Sequence, residues 1–322
     1  MKNRIFLIAC LFALVISCSK KSTDDASTSP TTQTSEERCA LIKSSIADAG
    51  FSEQVSVTCD EEYAYLTSDT YPSHEKMTGI KATNEQVPVP AAGHKVQVKL
   101  QPSGTSGVLE NEGPLGVAVN GVPIYDYSSQ SSNSTTYDPN SDTVLTGELD
   151  NCNGHAGRGD DYHYHASPKC MIESMKNKGD AAILGWAFDG YPILGNNEID
   201  GSKIDSGSLG ICNGKTDSVY GYAYHTTDQH PYILQCLVGD YDKSLFPRVE
   251  PLSGKPPGEK PQGGVNGLTF TEQSDGWRVM NYTNQGQNYY IKYKAASKAG
   301  CYTFVQKTFT NHGVETTAEY CR

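Results

Sequence analysis

The sequence predicts a mainly β fold with a few short helices: a disulfide-stapled, internally duplicated β-rich domain plus a small C-terminal β subdomain. Three observations predict it. Short apolar runs alternate with Gly, Asn and Asp turns along most of the chain. A segment beginning GVAVNGVPIY at Gly116 returns as GWAFDGYPIL at Gly185. Eight cysteines beyond the N-terminal region fall into four near-neighbour couples.

The chain opens MKNR, followed by thirteen mostly apolar residues, Ile5 to Ser17, and then Cys18. That run is too short to span a bilayer and reads as the apolar region of a signal peptide, residues 1–17. Val15-Ile16-Ser17 before Cys18 is similar to a bacterial lipobox, so Cys18 is the expected lipidation site and the membrane is met only through a lipid anchor. The expected location is therefore exported and anchored to the cell envelope. Residues 18–35 are rich in Ser, Thr and Asp, bury too little to fold and read as a flexible tether.

Thr34-x-x-Glu37 is a capping-box pattern for a helix over Glu37 to Ala49, with Gly50 as its stop, inside an N-terminal helix/strand segment spanning 36–86. Lys95 to Leu100 alternates, placing Val96, Val98 and Leu100 on one face of a strand. Ser167-Pro168 is expected to open a short helix ended by Gly179. The duplicated domain is expected over 87–250, with units at about 116–170 and 185–236. The stretch 251–264, PLSGKPPGEKPQGG, reads as a linker. The remainder, 265–322, reads as three or four strands from Leu268 onward.

Loss of the signal peptide removes Lys2 and Arg4, leaving 24 basic residues against 37 acidic ones, a net charge of −13. Such a balance argues against nucleic acid as a partner. No phosphate loop, dinucleotide fingerprint, HExxH, G-x-S-x-G or EF-hand loop is present, so no nucleotide cofactor is implied.

The repeat extends beyond its opening motif. CNGH at Cys152 returns as CNGK at Cys212, YHYH ending at His165 returns as YAYH ending at His225, and each unit closes on a cysteine, Cys170 or Cys236. The second copy replaces His155 with Lys215 and His163 with Ala223, yet keeps both cysteines. That separate fate favours disulfides over metal thiolates. Spacing does not fix the connectivity; the simplest expectation is pairing in chain order, Cys39–Cys59, Cys152–Cys170, Cys212–Cys236 and Cys301–Cys321, as an oxidising compartment would allow.

His163 and His165 share one face of a strand, with Tyr162 and Tyr164 on the apolar other face. His155, reached through an Asn-Gly turn, completes a three-histidine face. Neutral imidazole suits Zn or Cu, and three protein ligands with an open fourth position is a familiar zinc arrangement. His225 is a candidate fourth ligand if the two units face each other. Asp160 and Asp161 read as turn residues, as does Asp189, for which a catalytic role or one behind the ligands is the alternative. His74 and His230 stand isolated and read as surface groups. Two other readings stay open: a metal-free binding module for a glycan or protein partner, and acid–base catalysis by a histidine with a nearby carboxylate.

The order NGVPIY, CNGH, YHYH, GWAFDGYPIL and HTTDQHPYILQC resembles the YHYH-domain family of bacterial exported proteins, over roughly Tyr71 to Gly239. The resemblance implies no particular chemistry. The family's pattern is more symmetric in its histidines, and Lys215 and Ala223 depart from it.

Overall fold

In a computed structural model, which describes residues 33–104, 108–110, 113–129 and 135–322, helix α1 (Ser35–Ala49) starts on the predicted box. The Glu37 amide donates to Thr34 Oγ1 at 3.2 Å, and the Thr34 amide donates to Glu37 Oε2 at 2.8 Å. The helix begins two residues earlier than predicted because Ser35 and Glu36 already form its first turn behind that cap. Gly50 closes it in the left-handed conformation. Ile42, Ile46 and Ala49 face the core, and Cys39 is bonded to Cys59 at the end of β1 (Ser56–Cys59).

Strands β1, β2 (Tyr63–Ser68) and β3 (His94–Lys99) form an antiparallel three-stranded sheet. Val96 and Val98 lie opposite Leu66 and Ala64, and all four are buried, as the alternation requires.

The duplicated region folds into a single sheet. Its strands are β4 (Gly116–Ala118), β5 (Pro123–Ile124), β6 (Gly154–Ala156), β7 (Tyr162–Tyr164), β8 (Gly185–Ala187), β9 (Pro192–Leu194), β10 (Gly214–Asp217) and β11 (Gly221–His225). Their order is β10-β11-β9-β8-β4-β5-β7-β6. Since β8–β11 repeat β4–β7, the order reads the same from either edge. Each copy is a hairpin whose second strand runs parallel to a later one: Ile124 opposite Tyr164, and Ile193 opposite Tyr224. The copies meet at the antiparallel β4–β8 ladder, where Val117 faces Trp186, its own counterpart in the repeat. A local twofold axis therefore passes through the middle of the sheet. The glycines opening the two motifs make this contact possible. A Cβ on Gly116 would sit 2.7 Å from the Trp186 carbonyl oxygen, and one on Gly185 would sit 2.7 Å from that of Val117.

The predicted helix after Ser167 is shorter than expected. Helix α2 spans Lys169–Ser174, with no side-chain cap and with Met175 already extended. Met175 is buried and the Lys176 amide donates to the Ala49 carbonyl at 3.1 Å, so docking on the end of α1 pulls the chain out of helix well before Gly179. Asn153 Nδ2 donates to the Ser167 carbonyl at 2.7 Å instead.

The C-terminal part is a five-stranded antiparallel meander: β12 (Asn266–Glu272), β13 (Arg278–Asn284), β14 (Gln287–Ala295), β15 (Cys301–Lys307) and β16 (Glu315–Cys321). It has more strands than predicted because edge strand β16 buries almost nothing, so its sequence carries no apolar alternation to read. All four disulfides join the cysteine couples in chain order. The stretch 251–264 contains no regular helix or strand but is pinned: the Ser253 amide donates to the Cys321 carbonyl at 2.7 Å, and Lys255 pairs with buried Asp160 at 2.5 Å. A continuous apolar core runs from α1 through the eight-stranded sheet to the C-terminal sheet.

Candidate metal centre

Strand register explains why three imidazoles meet. His155 on β6 lies directly opposite His163 on β7, and directly opposed antiparallel residues point to the same face. His165 lies two residues beyond His163, again on that face. The three ring centroids are each 4.9 Å from the other two. His155 Nε2 and His165 Nε2 are 3.1 Å apart, and one ring nitrogen from each of the three lies within 4.8 Å of the others. The rings are withdrawn from water: His155, His163 and His165 are 8%, 5% and 3% exposed. Room for His163 comes from Gly157, where a Cβ would stand 2.3 Å from the His163 Cε1.

The Nδ1 atoms of His165 and His163 are held from behind. His165 Nδ1 donates to the Asp126 carbonyl. His163 Nδ1 lies 3.3 Å from Asp161 Oδ2. Burial, then the neighbouring imidazoles His165 and His163, push His155 well below its usual range. Burial and His163 bring His165 down to about 3. Both rings are consequently neutral at pH 7, the form that donates a lone pair. Burial alone would raise Asp161, but His163 and His94 overcome it and hold the carboxylate below its ordinary value. Tyr125 covers the group, its ring centroid 4.3 Å from that of His163 and 5.7 Å from that of His165.

The other predicted residues fall elsewhere. His225 does not join the three, which corrects its expected place as a fourth ligand. The two copies lie side by side in one sheet rather than face to face. Four strands separate β11 from β7, a span of roughly 24 Å at ~4.8 Å per strand. His225 Nδ1 lies 3.1 Å from the Gly195 carbonyl, the bond that His165 makes to Asp126 in the first copy. Lys215, standing where the first copy has His155, pairs with Glu198. Leu194 and Gly195 stand where the first copy has Tyr125 and Asp126. The second copy thus keeps the counterpart of His165 but lacks the other two imidazoles and the Tyr125 and Asp126 that stand beside them.

Asp160 is a turn residue, with a positive φ of 53° and a buried bond to Lys255. Asp189 sits in its predicted turn and binds Tyr224 Oη (2.5 Å) and the Gly239 amide (2.9 Å). Burial raises it to about 6. Its first-copy counterpart, Asn120, donates to Tyr164 Oη at 3.0 Å. Tyr162 and Tyr164 are fully buried on the opposite face, with Tyr162 Oη donating to Asp150 at 2.8 Å. His74 is not the isolated surface group expected: its Nε2 lies 2.6 Å from Tyr164 Oη, beneath the YHYH strand. His230 packs edge-on against Tyr127, centroids 4.4 Å apart. Sequence reasoning missed Asp161 as a partner of His163, although strand alternation places residues 161, 163 and 165 on one side. It also missed Tyr125, for which the tyrosine-to-leucine difference between copies was the available signal. Two further groups, His74 with Cys152 and Cys170, and Glu319 with Cys301 and Cys321, bring potential ligands together, but their cysteines are disulfide-bonded and offer no thiolate.

Fold and site together define a class: a disulfide-stapled β protein, duplicated within one sheet, with a buried three-imidazole group in one copy only. The family model described as YHYH protein matches residues 95–203, about a third of the chain. The match takes in all three imidazoles and stops before the second cysteine-led segment. No curated protein and no solved structure matches the chain.

Proposed function

We propose that the protein is an exported, lipid-anchored member of the YHYH group whose first repeat binds one Zn or Cu ion through His155, His163 and His165. The observation that carries this reading is the convergence of three buried imidazoles, two of which, His155 and His165, are held neutral by burial. A tetrahedral ion with metal–nitrogen bonds near 2.0–2.1 Å holds its ligand atoms about 3.3 Å apart. The 3.1 Å between His155 Nε2 and His165 Nε2 is close to that spacing. Ligand type fits Zn or Cu, with imidazole donors and no thiolate. Asp161 and the Asp126 carbonyl fix ring orientation as partners of metal-bound histidines do. A bound ion with an open fourth position would supply an activated water or, for copper, an electron-transfer centre. Tyr125 is the residue best placed to govern access to that position.

Export and anchoring rest on the N-terminal pattern ending at Cys18, which lies outside the described residues, and on four disulfides, which fit an oxidising compartment. Among the described residues no helix is long and apolar enough to cross a membrane.

Elemental analysis of purified wild type against His163→Ala/His165→Ala tests the metal reading. About one ion per chain is expected in the wild type and a large loss in the variant; equal, substoichiometric metal in both removes it. An activity that survives chelator yet is lost in the histidine variants would assign the imidazoles to acid–base chemistry instead. Cys18→Ala should move the protein from the membrane to the soluble fraction.

A further inference from the structure

The C-terminal sheet differs in charge from the rest of the molecule. Residues 266–322 contain six basic and four acidic residues, a net +2 within a chain of net −11. Part of that positive charge is gathered on one face. Val279 pairs with Lys292 and Asn281 with Tyr290, so these four side chains project together from β13 and β14. Trp277 stands beside them at the end of the β12–β13 turn, where the Gln273 amide donates to the Trp277 carbonyl at 2.8 Å. Lys292 Nζ and Lys294 Nζ lie 5.3 and 4.8 Å from the Trp277 ring centroid. Between these groups is an open cleft of about 380 Å³, lined by Trp277, Tyr290, Lys292, Asn281, Gln273 and Asp275 along with Val279.

That volume lies at the lower end of the ~300–1,000 Å³ range of small-ligand sites. Its chemistry is mixed in a particular way. Two aromatic rings offer flat apolar area, two amide side chains offer paired donors and acceptors, and the Lys292 ammonium offers positive charge, with Lys294 near Trp277 beside the cleft. Asp275 offers an acceptor for hydroxyl donors. A ring-shaped ligand with many hydroxyls and spaced negative charges meets all of these conditions.

We propose that this face binds an anionic polysaccharide. Sugar rings lie against Trp277 and Tyr290, hydroxyls bond to Gln273, Asp275 and Asn281, and the carboxylate or sulfate meets Lys292 and Lys294. The site is in a different sheet from the three imidazoles and does not depend on them.

Affinity electrophoresis of the full chain through gels containing polygalacturonate, heparin or neutral dextran tests this. The wild type should be retarded by at least one polyanion and not by dextran, with or without EDTA; the preferred polyanion distinguishes carboxylate from sulfate. Trp277→Ala and Lys292→Gln/Lys294→Gln should each weaken retention at least tenfold, and Trp277→Phe less. Lys298→Gln, an exposed lysine away from the cleft, should leave it unchanged. Thermal melts check that each variant is folded. Absence of retardation by both polyanions overturns the proposal. So does retention that ignores Trp277 and follows any lysine, or equal retention by single-stranded DNA.

Discussion

Asp161→Asn removes one negative charge from behind the proposed centre without changing side-chain size. Its Oδ2 is 3.3 Å from His163 Nδ1, and no ligand atom is lost. Loss of such an outer partner typically weakens metal affinity by about 10–100-fold. The consequence can be read as heat stability. Zinc at ~100 times its Kd stabilises the native state by about 2.7 kcal/mol, at ~10 times by about 1.4, and at a concentration equal to Kd by about 0.4. The unit Thr32–Arg322, about 290 residues, has an unfolding entropy of roughly 0.6 kcal/mol per kelvin. Zinc should therefore raise the wild-type Tm by about 4 °C and that of Asp161→Asn by about 2 °C or less at the same concentration. Differential scanning fluorimetry of metal-free protein with and without zinc measures this within each variant, which cancels any change in metal-free stability. His163→Ala should show no zinc-dependent shift. An equal shift in wild type and His163→Ala would refute the centre itself. An equal shift in wild type and Asp161→Asn, with none in His163→Ala, would refute only the role given to Asp161.

Two further predictions concern the frame around the site. Asp189 has its folded value raised to about 6, so between about pH 4 and 6 the native state holds a proton that the unfolded chain has lost. Wild-type stability should thus gain up to about 3 kcal/mol from this group as pH falls through that window. Asp189→Asn should flatten that slope while keeping acceptors for Tyr224 and Gly239; identical slopes in urea titrations from pH 4 to 8 would contradict it. Lys255 and Asp160 form an ion pair with side chains only 5% and 1% exposed, and Lys255→Met strands the carboxylate. A loss of about 3–5 kcal/mol in urea unfolding is expected, with much of it recovered in Asp160→Asn/Lys255→Met.

The legible parts of this molecule were those written in local spacing. The capping box at Thr34, the alternation through Val96 and Val98, the cysteine couples and the H-x-H strand each depend on residues a few positions apart. Three imidazoles converge because His155 is one hairpin away from His163. His225 was misplaced because nothing in a repeat says whether its copies stack face to face or join edge to edge. That choice is made by the β4–β8 ladder, about 69 residues apart in sequence and enabled by two glycines. His74 was misread for the same reason: its partner, Tyr164, is 90 residues away. The fifth C-terminal strand escaped notice because an edge strand need not bury either face.

The ladder between β4 and β8 is the one that two identical chains would build across the axis of a homodimer. Here a peptide connection does the work of association, so dilution cannot part the halves. It also releases them from identity. In a true homodimer any substitution strikes both places at once, whereas this chain can retire a histidine on one side in favour of the Lys215–Glu198 couple and leave the other side untouched.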